Sequence, residues 1–404
     1  MRVVIAPDKF KGSLSAPDVA RHLEAGLQAA AGGNLEVLRI PVADGGEGTL
    51  DAAVGSGFTR RSAVVSGPTG QPLRAEFAVR GREAVIEMAA ASGLAVLPPL
   101  GQHSGVPDSA SAKSATSLGT GELIRAALDA GCRQIILGVG GSANTDGGAG
   151  LLQGLGAKLL DADGRELPPG GAALARLASI DLSGFDVRLE ESRFVLASDV
   201  DNPLLGLEGA ATIFGPQKGA SPADVETLDA ALANFVRVLA GEIGSRAERA
   251  AQAPGAGAAG GVGYAAIAVL AATRRPGIDV VLEFTELADR LAGADLVITG
   301  EGSLDEQSLL GKTPMGVARA ASHAGVPVIA VCGRTTLSQE QLAEAGFAQV
   351  YALTDLEANV DICIAEAGPL LEQLGKHIGV QLAGNLLSGN NPASSADTKE
   401  DLHV

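Results

Sequence analysis

Short apolar, β-branched runs alternate with segments of helical period along nearly the whole chain, the pattern of α/β architecture built on parallel strands. Strands are predicted at Val3 to Ala6, Glu36 to Pro41, Gln134 to Val139, Arg193 to Ala197, Asp295 to Thr299, Val326 to Val331 and Gln349 to Leu353. Between the first two, SAPDVARHLEAGLQAA predicts a helix. Ser15 and Asp18 make a capping-box pair, Pro17 suits the first turn, and Val19, Leu23 and Leu27 line one face. Ser221 and Asp224 repeat that start before Val225, Leu228, Leu232, Phe235 and Leu239. The two chain ends look alike, each made of strand, Gly-rich turn and helix, whereas the middle carries Gly/Pro-laced connections such as GPTGQP and LPPGG. The pattern predicts one α/β domain assembled from both ends, residues 1–70 with 285–384, and a second α/β domain, 71–284, inserted into it. The closing stretch GNNPASSADTKEDLHV lacks periodicity, so residues 385–404 are expected to form a disordered polar tail.

Composition adjusts this picture in three ways. Only 9 Phe, 2 Tyr and 0 Trp occur among 404 residues, so the core must be built from Ala, Val, Leu and Ile, which suits layered α/β packing. Glycine, at 55 residues, is about twice as frequent as usual without any collagen period, which points to loops and turns or to a biased genome. A net charge of −17 opposes binding to nucleic acid or to an anionic membrane surface. Cys132, Cys332 and Cys363 have neither disulfide-framework nor zinc spacing. No apolar signal core and no long uncharged apolar stretch is present, so a soluble cytoplasmic protein is expected.

Three strings imitate nucleotide-binding motifs. Gly311, Lys312 and Thr313 end like a P-loop, but Glu306 stands where its first glycine belongs. Gly255, Gly257 and Gly260 have dinucleotide spacing but follow a predicted helix end instead of a strand. Gly138, Gly140 and Ala143 do follow a strand, with Asp161 at ribose distance, although Asp146 falls where the helix should already run. An NAD-dependent oxidoreductase is therefore the weaker reading. More telling are Gly-rich turns that also carry polar groups: Asp44 and Glu47; Ser142, Asn144, Thr145 and Asp146; Glu301, Asp305 and Gln307. Turns after parallel strands lie at the sheet edge where open α/β proteins bind ligands. Glycines there let backbone N–H groups approach anionic oxygens, and carboxylates there suit Mg²⁺. Lys9, Lys11, Lys218 and Lys312, half of the eight lysines, lie in or beside such strings. This set points to phosphoryl transfer onto a small substrate.

The strings APDKFKGSLSA, PVADGGEGT, TSLGTGELI, GVGGSANTDGG, DVDNPL, FGPQKGA, PGAGAAGGVG and DLVITGEGSLDEQSLLGKTP together resemble the bacterial glycerate kinase family, in order, over about residues 1 to 380. The resemblance implies ATP-dependent phosphorylation of D-glycerate, usually at the carbon-2 hydroxyl, with Mg²⁺. It also implies two α/β domains, one flavodoxin-like and built from both chain ends, with the active site between them. By position, Asp199 of DVDNPL matches the family's proposed general base, and Lys218, beside Gln217, would stabilise transferring charge. Asp8, Lys9, Lys11, Asp44, Glu47, Ser142 and Asn144 are the candidates for holding glycerate. Two glycine loops compete for ATP: Gly255, Gly257 and Gly260, and Gly300 with Glu301 and Lys312. Asp305 and Asp146 are the candidate metal ligands. The family pattern SATNDGG reads SANTDGG here, exchanging Asn144 and Thr145, two residues that both donate and accept hydrogen bonds. A catalytically silent glycerate-binding protein on the same fold is the remaining alternative, and self-association is compatible with all three readings.

Overall fold

The computed structural model describes residues 1–31, 35–98, 106–309 and 311–388. The chain divides into two compact units, Met1–Ala43 with Val281–Val404, and Asp44–Val280. The first break thus falls at residue 43, not near 70. The reason is strand pairing: β3 (Thr59–Ser66) and β4 (Pro72–Arg80) form a hairpin that continues into β5 (Glu83–Glu87), so residues 59–70 belong to the second sheet.

In the first unit, β1 (Arg2–Pro7), β2 (Glu36–Arg39), β11 (Leu296–Leu304), β12 (Val328–Thr335) and β13 (Gln349–Ala352) form one parallel sheet in the order β13-β12-β11-β1-β2. Counted within the unit this is 2-1-3-4-5, the flavodoxin-like doubly wound order, and its switch point lies between β1 and β11. Pro7, the last residue of β1, pairs with Gly300 there, and β11 runs on to Leu304 beside the residues that follow β1. The predicted first helix runs over Ala16–Ala31, with the Ser15 hydroxyl 2.6 Å from the Asp18 carboxylate. Its buried Val19, Leu23 and Leu27 share a core with Leu371, Leu374 and Ile378 of helix Ala367–Ser388. Residues 385–388 therefore continue a helix, and the rest of the expected tail, 389–404, lies outside the described residues.

The second unit holds a mixed sheet, β10-β9-β6-β5-β4-β3, in which β5, β6 (Gln134–Gly138), β9 (Arg193–Ala197) and β10 (Thr273–Arg275) are parallel and β3, β4 and β5 antiparallel. A small antiparallel pair, β7 (Lys158–Leu160) with β8 (Ser179–Asp181), is separate from it. GPTGQP is the turn of the β3–β4 hairpin, where the Gly67 N–H donates to the Gln71 carbonyl at 2.6 Å. The hairpin escapes an apolar-run reading because β3 is an edge strand with mostly exposed side chains. Ser221 and Asp224 do form a capping box, and it opens helix Pro222–Ile243. Among the described residues no helix is long and apolar enough to cross a membrane, and the three cysteines are buried free thiols.

Candidate active site

The carboxyl ends of β6 and β9 carry turns that line a cavity of about 240 Å³ in the second unit. Asp44, Gly46, Gly140, Ser142, Asp199 and Gln217 are among its walls. Backbone packs on backbone around it. A Cβ at Gly138 would stand 2.4 Å from the Gly45 carbonyl oxygen, and one at Gly260 would stand 2.0 Å from that of Asn144. A Cβ at Gly257 would likewise stand 2.3 Å from the Pro203 carbonyl oxygen. The glycines of PGAGAAGGVG thus serve close contact between protein segments, a use that their dinucleotide-like spacing conceals. The Gly138 turn also lacks a dinucleotide site's immediate helix, since helix Ala149–Gly154 begins only after Gly148. Asp161 closes a local turn by accepting from the Asp163 and Arg165 N–H groups.

Asp199 lies two residues beyond the end of β9, after the buried Ser198, and is exposed on its open side. Its Oδ1 accepts the Gly277 N–H at 2.8 Å. Desolvation by the sheet edge pushes its carboxyl up to about 6; the Gly277 hydrogen bond opposes this, the charge of Asp44 adds to it, Arg274 opposes and Asp279 adds. A carboxylate tuned in this direction accepts a proton far better than an ordinary aspartate. Gly277 was not legible as a site residue. A Cβ there would lie 1.8 Å from the Asp44 carbonyl oxygen, so only glycine brings this N–H to Asp199. The Pro276-Gly277 step at the end of β10 was the available signal.

Two sequence expectations change in the turn after β6. Asp146 is 1% exposed, and its oxygens accept from six donors. These are the hydroxyls of Thr116 and Ser117, the N–H groups of Ser117, Gly148 and Gly150, and the Asn144 amide at 2.8 Å. A metal would have to displace those donors, so Asp146 is a hub of the turn and not an open metal ligand. Lys218 is only 2% exposed, and its Nζ donates to Ser142 Oγ at 2.8 Å and to the Asn144 carbonyl at 2.6 Å. It is not among the residues that line the cavity, and two of its three ammonium protons are spent on Ser142 and Asn144. Burial pulls its ammonium down to about 7, and the charge of Asp146 partly offsets this. Ser142 itself lines the cavity, whereas Asn144 is fully buried. Of the other candidates of this unit, Asp44 accepts the Gly46 N–H at 3.2 Å within its own turn, and Glu47 is exposed.

In the first unit a different set lies around the switch point between β1 and β11. Asp8 is buried; its Oδ1 accepts the Lys9 N–H and its Oδ2 the Thr313 hydroxyl, both at 2.6 Å. The P-loop look-alike therefore has a use for its Thr313, although not on a phosphate. Glu301, one residue beyond Gly300, is pushed up to about 7 by desolvation, against a Ser308 hydrogen bond and the charge of Lys312, with Asp8 and Asp305 adding to the rise. Its buried Oε1 has no hydrogen-bond partner among the described residues. Gly300 needs its missing side chain for strand packing, since a Cβ would lie 1.9 Å from the Val331 carbonyl oxygen. Asp305 accepts from the Gln307 and Ser308 N–H groups at the start of a short helix, Glu306–Leu309, and Lys11 is exposed. Asp305 and Asp146 lie in different units. Among the described residues no three His, Cys, Asp or Glu side chains cluster to hold a metal. Mg²⁺ does not require such a cage, because one or two carboxylates plus phosphate oxygens and water complete its shell. The unpartnered oxygen of Glu301 fits that demand better than Asp305 or Asp146, the two candidate metal ligands.

The model of the glycerate kinase family matches residues 3–383. The glycerate kinase of Bacillus subtilis (strain 168) is 43% identical over 385 residues, covering 95% of this chain and 98% of that protein. The glycerate 2-kinase of Escherichia coli (strain K12) is 41% identical over 386 residues, again 95% and 98%. A crystal structure of a Salmonella typhimurium LT2 protein assigned to glycerate kinase 2 superposes with a TM-score of 0.80 at 41% identity, covering 96% of this chain and 99% of that one.

Proposed function

The chain belongs to the glycerate kinase family, and we propose that it transfers the γ-phosphoryl group of ATP to D-glycerate at the carbon-2 hydroxyl. The observation that carries this reading is Asp199, a carboxylate raised to about 6 at the wall of a cavity sized for a small hydroxy acid. The carboxylate takes the hydroxyl proton as the new oxygen–phosphorus bond forms and the bond to ADP breaks, so the chemistry needs no covalent enzyme intermediate. Gly277 holds one carboxylate oxygen and leaves the other for the substrate. Mg²⁺, when bound, neutralises charge on the phosphates, and Glu301 is the carboxylate whose unpartnered oxygen suits it. Lys218 spends two of its three donors on Ser142 and Asn144, which supports a role in holding the cavity wall instead of a direct contact with the transferred group.

The test is a coupled assay of purified protein with MgATP and D-glycerate, to which enolase is added without a mutase. Enolase consumes 2-phosphoglycerate but not its 3-isomer, so phosphoenolpyruvate is expected. ADP release without phosphoenolpyruvate would move the product to carbon 3, and no ADP release from any small hydroxy acid would overturn the kinase reading.

A further inference from the structure

Lys218 is among the most deeply buried large side chains of the molecule, yet among the described residues no carboxylate lies within ion-pair distance of its Nζ. A buried ammonium without a paired acid is costly, and a chain retains one where its donors do something an apolar side chain does not. Here its two assigned hydrogen bonds both go to the segment 141–146, one of them to the hydroxyl of Ser142. That segment is also fixed from its other side. Ser142 bridges to Gly93, the Leu94 N–H donates to the Gly141 carbonyl at 2.9 Å, and the Ala143 N–H donates to the Ser92 carbonyl at 2.9 Å. Asn144 ties the two buried charges together, accepting from Lys218 with its carbonyl and donating to Asp146 with its amide.

A serine hydroxyl has one proton and two lone pairs. An ammonium donating into Ser142 Oγ occupies a lone pair and turns the hydroxyl proton away from Lys218. Ser142 lines the cavity, so the proton is left to donate there, and the ammonium behind it strengthens the donor by polarisation. We propose that Lys218 is a positioning residue that makes Ser142 a dedicated hydrogen-bond donor to the carboxylate of the hydroxy-acid substrate. This rests on the glycerate kinase reading and deepens it. The substrate carboxylate is the favoured acceptor because the same cavity carries Asp199, whose task requires the substrate hydroxyl close by, and in a 2-hydroxy acid the two groups sit on adjacent carbons.

The test is a double-mutant cycle on the full chain with Ser142→Ala and Lys218→Met, the latter keeping most of the buried volume. Wild-type turnover of D-glycerate is established first; if it is absent, the kinase reading fails, and the positioning role is then not what failed. With wild type active, Ser142→Ala should raise KM for glycerate by about ten- to a hundredfold, the loss expected for one hydrogen bond to a charged group. KM for ATP should stay within about twofold, since a uniform binding contact to glycerate does not reach the nucleotide. Lys218→Met should raise the same KM, and the double variant should be no worse than the worse single one, because both changes remove one interaction. Additive losses, or a rise confined to KM for ATP, would overturn the proposal. An unchanged KM for glycerate in Ser142→Ala overturns it too, and that measurement stands even if Lys218→Met does not fold.

Discussion

Asp146 and Asp199 lie beyond the carboxyl ends of the neighbouring parallel strands β6 and β9, and both sit in polar turns of the kind that binds ligands in α/β proteins. Their surroundings are opposite. Asp146 is buried and satisfied by six donors, so its charge is spent on holding the turn together. Asp199 has one assigned hydrogen-bond donor, the Gly277 N–H, an open side on the cavity, and a carboxyl raised to about 6. A carboxylate already supplied with donors has neither a reason nor a vacant lone pair to engage a substrate. One that is short of donors and desolvated binds a proton more readily. The difference is the ground for proposing a structural role for Asp146 and a chemical one for Asp199.

Substitution of each aspartate should therefore fail in its own way. Asp199→Asn keeps the shape and the acceptor for Gly277 while removing the base, so kcat should fall by about 10²- to 10⁴-fold with KM for both substrates little changed. Steady-state assays decide this, and an active Asp199→Asn enzyme would erase the contrast. Asp146→Ala should act on stability instead. It strips the common acceptor from six buried or partly buried donors, a loss of about 3–5 kcal/mol that urea or thermal melts would read directly. If Asp146→Ala melted like wild type but needed more Mg²⁺, the metal-ligand reading of that residue would return.

Much of this was legible in the sequence, and the boundary has physical causes. The parallel strands declare themselves because both faces are buried, which writes apolar runs such as VVIAP into β1 and QIILG into β6. The β3–β4 hairpin is half solvated, so TRRSAVVS reads as polar chain and the first domain break was placed too late. Asp199 and Asp8 stand out as candidates because their strings resemble a known family. What the strings do not encode is who donates to whom. Gly277 and Thr313 became visible only when folding set their N–H and hydroxyl on those two aspartates. For the same reason Lys218 read as a charge facing the substrate, since nothing in FGPQKGA tells that its Nζ ends on Ser142 and Asn144.

The smallest effect is the most discriminating, because it should run against the usual sign of a mutation. The Asp199 carboxyl is raised from 3.8 to about 6, so between those values the folded protein binds more protons than the unfolded chain. Stability then falls as pH rises through this window, and above it the ionised carboxylate carries its full desolvation cost. Asp199→Asn, neutral throughout, should thus be more stable than wild type at pH 7 to 8 by about 1 kcal/mol, a figure kept low because water reaches the open side of the carboxylate. The advantage should vanish near pH 4, where the wild-type carboxyl is protonated in the folded state and the desolvation cost is gone. In turnover the same proton has the reverse effect, since kcat/KM should be full above about 6 and decline tenfold per pH unit below it as the base is lost. Melts of both proteins at pH 4 and pH 8, set beside the pH profile of the wild type, would show one group stabilising the fold when protonated and serving catalysis when not. A variant that lost activity and stability together at pH 8 would instead place Asp199 in the same structural class as Asp146.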